Sequence, residues 1–315
     1  MIWRLRSLWL SCLMAACILA AEPARVIFDT DIGNDIDDVL ALAMLHAFES
    51  RGNVKLLAVT VTKDNRLAGQ AASAINTFYG REAIPVGVVN NGVTRGDGNY
   101  NRVIVNRYPH AASFEDAVTV LRKALAAQPD NSVSIVQVGF STNLAHLLES
   151  PGGRDLAAKK VRRLVVMAGD FERPAYREYN VKEDVAAAAK VFGEWPTEIV
   201  ASGYEIGERI KYPAKNIERD FAWTPHHPVV EGYRAYMKMP YDRQTWDLTA
   251  VLYGVRPEDG YFDLSDRGTI RVRPGGETRF DASPDGRHRY LTVNEVQRAR
   301  ILEAFLYLAS QPAAR

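Results

Sequence analysis

Five aspartates, Asp29, Asp31, Asp35, Asp37 and Asp38, stand within ten residues of the segment "VIFDTDIGNDIDDVLALAMLHA", Val26 to Ala47. An apolar run, Val26 to Phe28, precedes them, and apolar spacing of the helical kind follows. Unpaired carboxylates at such spacing repel one another and raise one another's pKa, so the pattern asks for a cation in their midst. Oxygen ligands without sulfur suit a hard ion, Ca²⁺ or Mg²⁺. A calcium site draws further ligands from distant segments. A solvated acidic loop at the positive end of a helix accounts for one or two aspartates, but five exceed what capping needs.

The elements that must position these residues are legible around them. With 315 residues, 47% hydrophobic and 24% charged, the chain suits one large α/β domain. A formal charge of +1 leaves no footprint for nucleic acid. Short apolar runs at Val26–Phe28, Leu56–Val61, Ile84–Val89, Val133–Val138, Leu164–Met167 and Glu198–Ala201 alternate with helical patterns such as Phe114–Ala127 and Glu183–Phe192. This order predicts an α/β fold: a Rossmann-like open, mostly parallel sheet with helices on both faces. Ligands of such sheets collect at the carboxyl ends of the strands, where Asp29 and Asp31 fall. Beyond Pro257, composition rich in Asp, Gly and Pro predicts a β-hairpin elaboration over 256–291, with an alternating run at Thr269–Val272. A closing helix over 292–311 is predicted to start from a Thr292/Glu295 capping box, with Val296, Ala299, Leu302, Leu306 and Ala309 as its docking stripe. Residues 22–315 read as a single domain.

Residues 1–21 have the layout of a secretory signal: basic Arg4 and Arg6, an apolar stretch Leu8–Ala20, then small residues. The apolar stretch is short for a membrane span, and none is expected in the mature chain. A secreted or periplasmic protein is the expectation; an uncleaved anchor, or a lipoprotein attached at Cys17, are the alternatives. Cys12 and Cys17 both lie in this segment, so the mature chain has no thiol chemistry.

Two known loop types compete for the aspartates. An EF-hand loop counted from Asp29 fails, with Asn34 at the sixth position and Leu40 at the twelfth. A haloacid-dehalogenase-like phosphatase shares Asp-x-Asp after a strand, but Gly33 stands where Thr or Val is wanted, which weakens that reading without removing it. The segment "DTDIGNDIDDVLALAML" resembles instead the N-terminal signature of the inosine–uridine-preferring nucleoside hydrolases, with a loop two residues longer. "LLAVTVTKDN", "SIVQVGFSTNLAHLL", "LVVMAGDF", "REYNVKEDVAAAAKVF" and "TWDLTAVLYGV" follow in the family's order.

The resemblance implies a Ca²⁺-dependent hydrolase of the N-glycosidic bonds of ribonucleosides or related ribosides. Its calcium ligands would be Asp31, Asp38, Asp247 and the Val138 carbonyl, with Asp31 also the general base. Asp37, Asn65, Glu178 and Asn180 would hold the sugar, Met167 would lie beneath it, and Trp246 would meet the leaving group. A small-molecule nucleoside or riboside is the implied partner, and assembly as a homo-oligomer is compatible with it. Asn65 also reads as a helix cap, and Asn180 with Asp184 as a helix start. Two departures stand out. Trp246 occupies the place of a histidine that in the best-known members can protonate the leaving group, which makes Tyr176, Tyr241 and Arg243 candidate contacts. "AGDFERPAYR" also lacks the usual asparagine for the 5′-hydroxyl. A non-catalytic, calcium-stabilised sugar-binding protein of the envelope is the rival from another class.

Overall fold

The computed structural model describes residues 22–312; the predicted signal, with Cys12 and Cys17, lies outside the described residues. Seven strands, β1 (Ala24–Thr30), β2 (Val54–Val61), β3 (Val86–Val88), β4 (Glu115–Asp116), β5 (Val133–Gln137), β6 (Val161–Met167) and β7 (Glu198–Ser202), run parallel in the order β4-β3-β2-β1-β5-β6-β7. The apolar runs named above become β1, β2, β3, β5, β6 and β7. Alternate side chains feed opposite layers: Val26 and Phe28 enter one apolar cluster, and Ile27 enters the other. Both faces are therefore buried, which is why these strands read as unbroken apolar stretches. The helices Asp37–Ser50 and Trp246–Val255 contribute to the first layer, and Ala117–Ala126 and Val185–Glu194 to the second.

Chain order reverses between β1 and β5, its neighbour on the far side from β2. Connections leave β1 towards one face and β5 towards the other, so a crevice opens at their carboxyl ends. A small antiparallel pair, β8 (Lys211–Tyr212) with β9 (Arg243–Gln244), stands outside the main sheet. The predicted hairpin region forms β10 (Asp263–Leu264), β11 (Gly268–Val272), β12 (Thr278–Ala282) and β13 (His288–Thr292). Its last strand pairs parallel with β7, so this region extends the main sheet at that edge.

Three local expectations need correction. The Phe114–Ala127 pattern divides: Glu115 and Asp116 join the sheet, and the helix starts at Ala117 with Asp116 accepting from the Thr119 amide. The closing helix runs Glu295–Ala309, and its capping box is Asn294 with Gln297; Thr292 still belongs to β13. Of the expected stripe, Ala309 is buried and Leu302 and Leu306 pack partly buried on the core, but Val296 (69% exposed) and Ala299 face outward, and Ile301, Phe305 and Leu308 make the main contact.

Candidate active site

The carboxyl end of β1 delivers Asp29, Thr30 and Asp31 to the crevice. Asp29 is used inward: its Oδ1 accepts from Thr60 Oγ1 at 2.6 Å and Asn143 Nδ2 at 2.7 Å. Burial still pushes its pKa up to about 7. The following loop is tightly braced. Gly33 has φ +112°, a conformation that strains any residue with a Cβ, and such a Cβ would stand 2.4 Å from Asn101 Nδ2 and force it to move. Neighbouring side chains donate to three of the loop's carbonyls: Asn101 to Ile32 at 3.2 Å, Lys63 Nζ to Gly33 at 3.1 Å, and Tyr100 to Asp35 at 2.6 Å.

Asp37 and Asp38 begin the helix Asp37–Ser50, at its positive end. Asp38 accepts from the Thr30 hydroxyl, and Asp37 Oδ2 accepts from the Asp247 amide at 3.1 Å. Asp247 sits in the first turn of the helix Trp246–Val255. Two helix starts therefore meet over the end of β1. From β5, Gly139 lets the chain come close, since a Cβ there would be 2.6 Å from the Asp31 nitrogen. The preceding Val138 amide donates to Asp29 O at 2.7 Å.

These segments enclose a cavity of about 50 Å³. Asp31, Asp38, Val138, Met167, Glu178, Asn180, Trp246 and Asp247, all named from the sequence, line it. Asn34, Asp35, Tyr179 and Tyr204 line it as well, and none of them is among the contacts the sequence predicts. Asn34, Asp35 and Tyr179 lay inside quoted motifs. Tyr204 follows β7 closely, so the strand-end rule itself pointed there. A larger cleft, about 650 Å³, opens at the amino ends of β2 and β3 beside Lys55, Arg81 and Ile84. It gathers none of the sequence-predicted residues, and the carboxyl-end cavity is the chemically equipped one.

Burial raises Asp31, Asp38 and Asp247 well above the ordinary carboxylate range, and mutual repulsion adds to the effect. Asp31 Oδ2, Asp37 Oδ1 and Asp38 Oδ2 are buried without a hydrogen-bond partner among the described residues. Two side-chain cations answer part of this charge. Lys63 faces Asp31, and Arg243 pairs with Asp35 at 2.7 Å while facing Asp37. Among the described residues, no three His, Cys, Asp or Glu side chains close into a metal cage. The crevice nevertheless offers what a hard cation takes: buried carboxylate oxygens lacking partners, with no imidazole or thiolate among the described side chains that line it.

The remaining predicted contacts divide. The Glu178 carboxylate accepts from the Gly169, Asn180 and Val181 amides, and burial pushes it up to about 7. Asn180 Nδ2 donates to the Val138 carbonyl at 2.7 Å and the Met167 carbonyl at 3.1 Å, so one amide ties the ends of β5 and β6 together. Asp37 stands behind the cavity wall, bonded to Asp247. Asn65 lies apart from the set: Oδ1 caps the helix Arg66–Phe78 at Leu67 N, and Nδ2 donates to Arg95 O. Both polar ends of Asn65 are committed to the fold, and its cap reading is the one the geometry meets.

The two departures also take shape. Trp246 Nε1 donates to Tyr204 O at 2.9 Å, and the rings lie 5.2 Å apart, with the Arg243 guanidinium 5.2 Å above the indole. Among the described residues, no histidine lines the cavity. Tyr241 donates to Tyr233 O. In the segment lacking asparagine, buried Asp170 accepts from the Glu172 and Arg173 amides and from Arg173 Nε. Arg173 in turn covers Tyr176 and Tyr204 at 4.0 and 4.6 Å, so this rim is built from an ion pair and aromatic faces.

Comparison with solved structures places this architecture among known folds. A plant nucleoside hydrolase superposes with a TM-score of 0.72 at 21% identity, covering 92% of this chain and 100% of its own. An inosine-uridine preferring nucleoside hydrolase from Bacillus anthracis gives 0.70 at 20%, covering 91% and 99%. A purine-preferring ribonucleoside hydrolase from Gardnerella vaginalis gives 0.74 at 17%, covering 92% and 99%. No curated protein matches the chain by sequence. Residues 26–302 match the family described as inosine-uridine preferring nucleoside hydrolase. The chain belongs to that family and is a hydrolase of N-glycosidic bonds.

Proposed function

We propose that the chain cleaves the N-glycosidic bond of ribonucleosides or related ribosides, with Ca²⁺ held by Asp31, Asp38, Asp247 and the Val138 carbonyl, and with Asp31 as general base. The observation that carries this reading is the convergence of those four positions, from three separate segments, on one cavity where carboxylate oxygens are buried without partners. When bound, the cation supplies charge that keeps the carboxylates ionised and makes a water more acidic.

The chain's own residues do the rest. Asp31, with a free Oδ2 in the crevice, takes the proton from the attacking water. Carboxylates around the ribosyl group favour the positive charge that grows as the bond breaks. Glu178 and Asn180 fix the floor through the amides and carbonyls they bind, and Met167 packs beneath the sugar. Trp246 and Tyr204 offer flat faces to the leaving group, and Arg243 places a cation beside them. The cavity holds little more than a water or two, so the side chains at its mouth must part to admit a riboside.

Family membership argues against the phosphatase and sugar-binding readings. Secretion or periplasmic export through residues 1–21, and a single domain over 22–315, complete the proposal. The test is reducing-sugar release from purine and pyrimidine nucleosides and simpler ribosides, with chelator and with Ca²⁺ restored. Turnover lost on chelation and regained with Ca²⁺ supports the reading; turnover indifferent to chelator sinks the calcium role.

A further inference from the structure

Lys63 follows β2 by two residues and is only 3% exposed. Its Nζ donates to the Gly33 carbonyl, within the loop that runs from Asp31 to Asp35. Gly33 lies two residues from Asp31, and Asp31 and Asp97 are carboxyl groups close enough to feel the charge of Lys63. Asp97 Oδ1 accepts from Asn101 Nδ2 at 2.9 Å, and the same amide braces Ile32 O. Arg243 is engaged with Asp35 at 2.7 Å.

Bracing a loop carbonyl does not require charge. Asn101 and Tyr100 hold the adjacent carbonyls as neutral donors. An ammonium withdrawn from water is unfavourable unless a negative field surrounds it, so the charge at position 63 calls for its own explanation. We propose that Lys63 is a built-in counter-cation of the carboxylate crevice: it stabilises the acids when no metal is bound and opposes metal binding, which sets the affinity for Ca²⁺. Lys63 is thus a positioning residue that acts through Asp31 and the loop, and this inference rests on the calcium reading above.

A brace and a counter-cation predict opposite signs. Loss of a brace loosens the loop and weakens Ca²⁺ binding; loss of a counter-cation strengthens it. The full chain is prepared as parent, Lys63→Met, Lys63→Gln and Lys63→Arg. Ca²⁺ affinity is read by competition with a fluorescent chelator, and the melting temperature is read in excess chelator. Lys63→Met and Lys63→Gln are expected to bind Ca²⁺ at least about tenfold tighter and to melt lower without metal, while Lys63→Arg stays near the parent. Should Lys63→Met fail to fold, the Gln and Arg variants carry the comparison. Equal or weaker Ca²⁺ binding by Lys63→Gln overturns the inference. A parent that binds no Ca²⁺ overturns the calcium reading and the metal-opposing role with it. A Lys63→Gln variant that melts with the parent in chelator overturns the charge-balancing role on its own.

Discussion

The helix Asp37–Ser50 buries polar side chains near both ends, and the two ends differ. Asp38 and His46 lie about 12 Å apart along its axis. At the later end, His46 Nε2 is 2.9 Å from Asn76 Oδ1, and the ring stacks on Tyr79 at 4.7 Å. The Tyr79 hydroxyl is 3.2 Å from His227 Nε2, and His227 Nδ1 accepts from the Val229 amide. Burial pushes both histidines down to about 3, so they pack as neutral rings. At the first end, Asp37 and Asp38 keep unpartnered oxygens beside Asp31 and Asp247. Equal burial thus serves two purposes. Both ends keep unpartnered buried atoms, but at the later end these are His46 Nδ1 and Asn76 Nδ2, which are neutral and stay packed. At the first end they are carboxylate oxygens that face one another, and something from outside must complete them.

Substitutions at the two ends should therefore separate activity from stability. The largest effect is expected from Asp31→Asn: turnover falls about 10³-fold, while the melting temperature holds or rises because a buried charge is gone. Steady-state kinetics beside a melting curve checks both. Next is Asp247→Asn, which should abolish the Ca²⁺-dependent part of stability, on the order of 3 kcal/mol at saturating metal; the reading is the chelator-induced shift in Tm. At the other end, His46→Leu should cost about 2 kcal/mol by leaving Asn76 without its partner, with kcat/KM unchanged, as chemical denaturation and kinetics will show.

Acid titration sharpens the contrast. His46 and His227 have folded values below the unfolded 6.5. Their contribution is present above pH 6.5 and is lost as pH falls toward about 3, at about 1.4 kcal/mol per pH unit for each. Glu205 has the opposite sign: burial, reinforced by Asp170, pushes it from 4.5 up to about 7, so its contribution is lost as pH rises through that value. His227→Phe should flatten the acid limb and Glu205→Gln the neutral one, in unfolding free energies measured across pH. The smallest effect is Asn65→Ala, about 1 kcal/mol from a lost helix cap with KM unchanged. A raised KM would return Asn65 to the binding site.

Much of this was readable beforehand because β1, β5 and β6 are buried on both faces and show as unbroken apolar runs. The aspartates at the strand end were visible for the same reason: nothing local explains five charges there. Less legible were contacts made across the chain. Nothing near Lys63 in sequence marks it as buried, since its partner carbonyl is Gly33, thirty residues earlier. The two readings of Asn65 are separated only by contacts outside its motif: its Oδ1 accepts from the Leu67 amide and its Nδ2 donates to the Arg95 carbonyl. The closing helix misled by its start, because Thr292 and Asn294 both offer plausible caps and only the pairing of β13 decides between them.

The bond from the Asp247 amide to Asp37 joins residues 210 positions apart. The helix carrying Asp37 packs on Trp246–Val255 and on Glu295–Ala309, both from the last third of the chain. A growing polypeptide therefore makes its acidic helix early and covers it late. Such distant closures slow folding and leave apolar surface open in the interval. Assembly of the site is thus tied to synthesis of the last third of the chain, and a product truncated after β7 would carry Asp31, Asp37 and Asp38 but lack Asp247 and never form the site.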